Sequence, residues 1–125
     1  MKTFLIDVYN RVYGPIEVEN ELDAFYEKLD CRCIDIVVRK VKGVEFDIMC
    51  DDEGLLREDC RPSAFVRDPL EPMLVGNLMF FHHDAEGNLT EISDDEMRLL
   101  QNSICWPCIG GDLANHYPAL LGISY

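Results

Sequence analysis

The sequence predicts an α+β fold: one small domain in which two helices pack on an antiparallel or mixed β-sheet. Its 125 residues match the usual length of a single domain, and 48% hydrophobic with 28% charged residues is ordinary for a globular chain. Several segments alternate apolar and polar residues as strands do, and two others repeat apolar residues at helical spacing. We expect the α+β domain to span residues 1–102, with residues 103–125 as a cysteine-containing C-terminal extension packed on it.

The chain is expected to begin with two strands. Residues 3–9 are rich in β-forming residues and place Phe4 and Ile6 on the same side. Gly14-Pro15 predicts a turn, because glycine and proline favour turn conformations, and residues 16–18 predict a short second strand.

A helix is expected next, with Asn20 as its N-cap. Its apolar side is formed by Leu22, Phe25, Tyr26 and Leu29. Four carboxylates are predicted on the opposite side: Glu19, Asp23, Glu27 and Asp30. Like charges four residues apart on a helix repel by a few tenths of a kcal/mol per pair, so this row must be compensated or used.

The middle of the chain predicts a β-hairpin. Residues 34–40 and 44–50 are β-rich and flank Lys42-Gly43, a favourable hairpin turn, and the acidic residues 51–54 end the second strand. Residues 57–72 contain three prolines and mixed charges, so an irregular stretch with one helical turn near residues 63–66 is expected.

The second half predicts a strand, a turn and a helix. Residues 73–82 form a strongly β-favouring segment, which then turns into a short strand at residues 89–92. Ser93 and Glu96 have the spacing of a capping box, so a helix should follow to about residue 102. The apolar faces of these elements predict a core made of Phe4, Ile6, Leu22, Phe25, Tyr26, Leu29, Ile36, Val38, Phe46, Ile48, Leu78 and Phe80.

The charge balance points to a class of partner. Twenty-four Asp and Glu against 11 Lys and Arg give a net charge of −13, which repels nucleic acid and membranes and attracts basic surfaces. We therefore expect a basic surface of a host protein as the partner, with no direct nucleic-acid binding and no membrane binding. The sequence does not fix an oligomeric state. The candidate partner-binding carboxylates are Glu19, Asp23, Glu27, Asp51, Asp52, Glu53, Asp94 and Asp95.

The compartment is predicted from the chain's start and its apolar segments. Asp7, Asn10 and Arg11 interrupt the first residues before a signal-peptide apolar region develops. The longest apolar stretch, residues 73–81, is about half the roughly 20 residues that span a bilayer. A cytoplasmic protein with reduced thiols is therefore expected.

Six cysteines offer an alternative chemistry. Cys31, Cys33, Cys105 and Cys108 would supply four thiolates for zinc, and the last two have the Cys-X-X-Cys spacing of a redox pair. The Cys-X-Cys half is less common in zinc sites, and the redox pair follows a predicted helix instead of a strand. Free thiols, with no metal, no cofactor and no catalytic residues, are the expected state.

The order of the segments is familiar. A strand ending in Ile-Met-Cys-Asp-Asp-Glu-Gly-Leu-Leu at residues 48–56, a proline-bearing stretch, a strand beginning Val-Gly-Asn-Leu-Met-Phe-Phe at residue 75, an acidic turn and a Ser-Asp-Asp-Glu-capped helix follow one another. Over roughly residues 3–102 the chain resembles a domain-of-unknown-function family of small proteins from gut Firmicutes, their phages and conjugative elements. The resemblance implies an α+β domain in a mobile-element setting, and no catalytic residues. The chain differs from that family at residues 60–63, Cys-Arg-Pro-Ser, and in its cysteine-bearing tail.

We therefore expect a non-enzymatic acidic binding protein from a phage or mobile element. It is expected to inhibit or modulate a host nucleic-acid-handling or defence protein, in the manner of anti-restriction or anti-CRISPR proteins that mimic nucleic acid. The alternative is a small metal- or redox-dependent accessory protein that uses its cysteines.

Overall fold

The computed structural model describes residues 1–106 and 116–125. In chain order its elements are β1 (Lys2–Asp7), β2 (Val12–Glu17), α1 (Leu22–Leu29), β3 (Ile34–Val41), β4 (Val44–Asp51), a 3₁₀ turn (Gly54–Leu56), β5 (Pro62–Val66), β6 (Glu71–Val75), β7 (Leu78–His83), β8 (Leu89–Thr90), α2 (Asp94–Gln101), β9 (Ile104–Cys105), β10 (Ala119–Leu121) and β11 (Ile123–Ser124). The predicted α+β class is confirmed. Within the described residues, no helix has both the length and the apolar character needed to cross a membrane.

The strands form two sheets. The central sheet has the order β11-β3-β4-β7-β1-β2, with all its neighbours antiparallel, and β8 pairs with the end of β7. The second sheet has the order β6-β5-β10-β9 and is mixed, because β5 and β10 run parallel. The C-terminal strands therefore serve both sheets: β10 lies in the second sheet, and β11 edges the central one.

Alternation along β1 gives the central sheet two buried faces. Phe4 and Ile6 face a core shared with the second sheet and with Met97 of α2, whereas Leu5 faces a smaller core with Phe25 of α1. The two helices consequently lie on opposite faces of the central sheet. The face under α2 is covered by the second sheet as well, and the other face has α1 as its only helical cover within the described residues.

The first turn does not lie where the sequence predicts it. Gly14 and Pro15 lie inside β2, and the chain turns at residues 8–11 instead. The Asp7 carboxylate accepts hydrogen bonds from the Tyr9 and Asn10 amides at 3.0 and 2.8 Å, an arrangement that stabilises a turn in place of Gly-Pro. Pro15 is tolerated in β2 because this is an edge strand of the sheet.

From residue 62 onward the proline-bearing stretch is a hairpin, so the expectation of an irregular region was wrong there, whereas residues 57–61 lie outside any helix or strand. Residues 63–66, predicted as a helical turn, belong to β5, which pairs antiparallel with β6. The strand expected over residues 73–82 is two strands in different sheets. The chain changes direction at Gly76, whose φ of 77° favours glycine, and the Asn77 side chain then accepts a hydrogen bond from the Val8 amide at 2.9 Å.

Eight of the twelve predicted core residues are buried, and the prediction was wrong for the other four. Leu22 is 58% exposed, and Ile36 and Val38 are each 46% exposed, while Tyr26 is half-buried. The prediction for Ile36 and Val38 chose the wrong face of β3. Val37 and Val41 face the larger core, whereas Ile36 and Val38 lie on the opposite face, where both are exposed. The buried eight are Phe4, Ile6, Phe25, Leu29, Phe46, Ile48, Leu78 and Phe80.

Candidate functional site: an acidic surface around the first helix

The carboxylates near α1 surround one hollow. We call this concavity, of about 400 Å³, the α1 hollow. It is lined by Glu17, Val18, Glu19, Glu21, Asp23, Ala24, Glu27 and Lys28. Among the described residues, five carboxylates and the Lys28 amine thus line the hollow, and one of these carboxylates, Glu17, lies 3.5 Å from the Met1 amine. Among the described residues, Glu19, Asp23 and Glu27 form no ion pair, so the negative charge there is uncompensated by protein contacts.

The helix itself begins later than the sequence predicts. Glu21, and not Asn20, is the N-cap, and it makes no side-chain capping hydrogen bond. Glu19 therefore precedes the helix, with its carbonyl accepting from the Glu21 amide at 2.8 Å, and only Asp23 and Glu27 are an i,i+4 pair. The three predicted carboxylates still face the same hollow because the loop before α1 folds beside its first turn.

A second acidic group lies at the end of β4 and is organised by an arginine. Arg57 donates to both carboxylate oxygens of Asp59 at 2.9 and 3.2 Å and to the Asp30 carbonyl at 2.7 Å. Its guanidinium lies 3.9 Å from the Asp51 carboxylate and 4.2 Å from the centre of the Tyr9 ring. The hydrogen bond with Asp59 is the main reason that the pKa of Arg57 is raised above its ordinary value. The carboxylates of Asp30, Asp51 and Asp59, which we call the Arg57 cluster, are therefore partly neutralised by this one guanidinium.

Arg57 was not among the predicted site residues. It stands as a single base within the acidic residues 51–59, which is the one signal that sequence reading could have used. Its partners Tyr9, Asp30 and Asp51 lie far apart along the chain, and only the fold brings them together. Burial is the main cause that raises the pKa of Tyr9 to about 12, so its ring contacts Arg57 as a neutral phenol.

Of the two predicted carboxylates at the start of α2, Asp95 has an ionic partner, and Asp94 forms no ion pair with the described residues. Asp95 pairs with Arg98, and the neighbouring Glu96 accepts hydrogen bonds from the Ser93 amide at 2.8 Å and from His82 at 2.8 Å. Carboxylates in the first turn also face the positive end of the helix dipole. Because α1 and α2 lie on opposite faces of the central sheet, Asp94 and Asp95 do not share a surface with the α1 hollow. The candidate carboxylates form separate patches, and not one continuous surface.

Four of the described cysteines have a raised pKa, namely Cys31, Cys33, Cys50 and Cys105. Burial is the main cause that raises the pKa of Cys31 to about 11 and that of Cys50 to about 12, and it also raises the pKa of Cys105. The pKa of exposed Cys33 is raised first by its hydrogen bond with Glu53. The thiolate is the nucleophilic and metal-binding form, so these surroundings oppose its formation.

The residues named for a metal site are not assembled within the part of the chain that the structure describes. No group of three or more His, Cys, Asp or Glu side chains there is arranged to hold a metal ion, which means that Cys31, Cys33 and Cys105 do not form such a group. Cys108, the fourth predicted ligand and one half of the Cys-X-X-Cys pair, lies outside the described residues.

The fold and this surface define a small α+β protein in which some acidic side chains have structural partners and others form no ion pair with the described residues. The chain belongs to the family described as Domain of unknown function (DUF3846), whose model matches residues 1–104. No curated protein and no solved structure matches the chain. The matched residues include both helices and every strand of the central sheet except β11. The family description supplies no activity.

Proposed function

We propose that this protein is a non-enzymatic acidic binding protein that occupies a basic surface of a host nucleic-acid-handling or defence protein. The observation that carries the proposal is the α1 hollow, where five carboxylates meet one lysine and Glu19, Asp23 and Glu27 have no cationic partner among the described residues. A basic partner would supply the missing cations.

Mimicry of a nucleic acid is the mode of binding that we propose. Side chains four residues apart on a helix, such as Asp23 and Glu27, are separated by about 5–6 Å, a spacing comparable to that of charges along a nucleic-acid strand. A groove built to hold phosphates with lysine and arginine would accept such carboxylates in their place. Inhibition of the anti-restriction or anti-CRISPR type would follow from simple occupancy of that groove.

A phage or mobile element is the source we propose for such a protein, on the strength of the resemblance that residues 3–102 carry in the sequence. Direct binding to DNA or RNA is not part of the proposal. Phosphates and carboxylates repel, and the net charge of −13 extends that repulsion over the whole surface.

The test is affinity capture from the lysate of a Firmicute host, with mass spectrometry of the captured proteins. We expect a protein that binds DNA or RNA, released by added salt and displaced by its own nucleic acid, because both ligands compete for one basic groove. The variant with Asp23→Lys and Glu27→Lys should lose the capture. Glu71→Lys with Glu86→Lys makes the same change in net charge elsewhere and should retain it.

Three results would contradict the proposal. Capture that withstands both salt and the Asp23 and Glu27 reversals would mean that the acidity of α1 only keeps the protein soluble. Captured proteins that remain bound in saturating nucleic acid would exclude mimicry. Loss of capture with Asp94→Lys and Asp95→Lys alone would assign the binding to α2, contrary to the observation that carries the proposal.

A further inference from the structure

A groove opens between the edges of the two sheets, away from the α1 hollow. Its walls are apolar: Val37 comes from β3, Met73, Leu74 and Val75 come from β6, and Leu55 of the 3₁₀ turn forms one lip. The volume of about 160 Å³ is below the roughly 300–1,000 Å³ of pockets that enclose small-molecule ligands. The groove therefore has the dimensions for a single side chain.

Both strands that border the groove have open edges within the described part of the chain. β3 pairs with β4 along its whole length, but on its other side β11 pairs only with Lys40 and Val41. β6 is the terminal strand of the second sheet and pairs with β5. Backbone amides and carbonyls at such edges are available to an added extended segment.

The apolar surface continues past the groove into solvent. Leu55 and its neighbour Leu56 are 79% and 81% exposed, although both are large apolar side chains. They adjoin the groove on a short turn fixed by Gly54, where a Cβ atom would lie 2.7 Å from Cγ2 of Val75. An exposed pair of leucines beside an open apolar groove is a surface that a partner would bury.

Among the described residues, the rim of the groove carries carboxylates and no cation. Asp35, Asp51 and Asp52 lie along it, and its lining contains no lysine, arginine or histidine. Asp51 is engaged elsewhere, with the Glu53 amide at 2.9 Å and with Arg57 at 3.9 Å. Asp35 and Asp52 are exposed and form no ion pair with the described residues, so their charge is available to an occupant.

We infer that the groove binds one lysine or arginine side chain of an extended segment in the basic partner. The aliphatic stem would contact Val37 and Met73 while the cationic head reaches Asp35 and Asp52, which is how long basic side chains divide between apolar and charged surroundings. A carboxylate or phosphate would be repelled by the rim, and a purely apolar side chain would leave both carboxylates unused. The inference rests on the proposed function in one respect only, that the partner is a basic protein.

The probe is a heptapeptide, Thr-Val-Thr-Arg-Thr-Val-Thr, acetylated and amidated at its ends, titrated into the labelled full chain while amide NMR shifts are followed. The shifts should concentrate at Val37, Leu55 and Val75. Replacing the arginine by citrulline, its uncharged near-isostere, should weaken binding by roughly tenfold or more, because charge-assisted hydrogen bonds to the rim are lost.

Two protein variants complete the test. Asp35→Asn with Asp52→Asn should reduce arginine-peptide affinity to that of the citrulline peptide. Asp94→Asn with Asp95→Asn removes the same charge at the start of α2, away from the groove, and should not reduce it. Equal binding of the two peptides, or shifts confined to the α1 hollow, would overturn the groove assignment. Groove shifts that appear on concentrating the protein alone, without peptide, would assign the groove to a second copy of this chain and overturn it too.

The groove and the proposed function fail in different experiments. Peptide binding at the groove with no nucleic-acid-binding protein captured from lysate would remove the proposed function and leave the groove as a site for basic segments. Capture that depends on Asp23 and Glu27, with no peptide binding at Val37, would remove the groove and leave the proposed function.

Discussion

The two helices have the same length and similar acidity but use their carboxylates differently. In α2, Ser93 and Glu96 form a capping box, Glu96 also bonds His82, and Asp95 pairs with Arg98. In α1 the N-cap Glu21 makes no side-chain cap. Around α1, Asp23 and Glu27 pair with no cation among the described residues.

The carboxylates Asp95 and Glu96 of α2 have partners in the fold, whereas Asp23 and Glu27 of α1 form no ion pair with the described residues. A carboxylate at a helix N-terminus with hydrogen-bond donors stabilises the fold, so evolution toward stability alone would favour the α2 arrangement. Glu27 lies in the last turn of α1, close to the negative end of the helix dipole, where a carboxylate is unfavourable. Asp23 lies in the first turn of α1, where a carboxylate is favourable, so the cost that partner binding would offset is that of Glu27 and of its repulsion with Asp23.

The largest expected effect concerns what holds α1 in place. Since α1 lacks a side-chain cap, its attachment depends on Phe25 and Leu29, which pack against the central sheet. Leu29 is fully buried, so Leu29→Ala should lower the free energy of unfolding by about 2–5 kcal/mol. Leu22→Ala, at a position 58% exposed on the same helix, is the matched control and should change it little. Urea denaturation of both variants measures the contrast, and equal losses would place Leu22 in the core.

The next effect tests the caps directly. Ser93→Ala removes a hydrogen bond to the Glu96 amide at 3.1 Å and should cost about 1 kcal/mol of stability. Asn20→Ala should cost far less, because Asn20 is not the N-cap of α1. Thermal unfolding of the two variants decides between the observed cap and the one predicted from sequence. A comparable loss at Asn20 would restore it as a capping residue.

Local patterns in the sequence were sufficient where the interactions are local. The Ser93 and Glu96 capping box and the hairpin across Lys42 and Gly43 were both predicted, because each depends on residues within a few positions of one another. The Lys42 and Gly43 backbones have the positive φ values, 50° and 85°, that such a two-residue turn requires.

Elements that depend on distant partners were missed. β5 pairs antiparallel with the nearby β6 and in parallel with β10, so part of what fixes its strand conformation lies more than fifty positions away. No alternation or propensity in residues 62–66 contains that information, and three nearby prolines argued against a strand. Gly76 and Asn77 separate β6 from β7, whereas the apolar pattern alone predicts one strand over residues 73–82.

The candidate site also contains a part that is local in sequence and a part that only the fold brings together. Glu19, Asp23 and Glu27 are close in sequence and share the α1 hollow as expected, although Glu19 precedes the helix. The Arg57 cluster and the groove beside Val37 join segments from different parts of the chain, and neither could be predicted from spacing.

A smaller effect should have opposite signs in the two helices. Glu27→Gln should raise the stability by a few tenths of a kcal/mol, because it relieves repulsion with Asp23 and an unfavourable position at the helix end. Glu96→Gln should lower it. Burial alone would raise the pKa of Glu96, but hydrogen bonds with Ser93 and His82 outweigh burial and hold that pKa below its usual value. Denaturant midpoints of the two variants give the signs, and a loss of stability at Glu27 would show that its carboxylate has a structural partner.

The smallest effect is a pH dependence on the α1 side of the central sheet. His83 lies 2.6 Å from the Asp47 carboxylate, and this hydrogen bond is the main reason that the pKa of His83 is raised above 6.5. A raised folded-state pKa means that the ion pair contributes fully below the unfolded value of about 6.5, and that the contribution is lost as the pH rises through the folded value. The contribution is small because the His83 side chain is 54% exposed to solvent.

NMR titration of the His83 ring should therefore give a pKa above 6.5, and Asp47→Asn should bring it back toward the ordinary value. Stability measured across the same pH range should fall slightly toward high pH in the parent protein and lose this component in the variant. Like Asp95 and Glu96 of α2, His83 has its charge partner within the fold. If the measured pKa of His83 is not raised, Asp47 has no ionic partner in His83 and belongs with the carboxylates around α1.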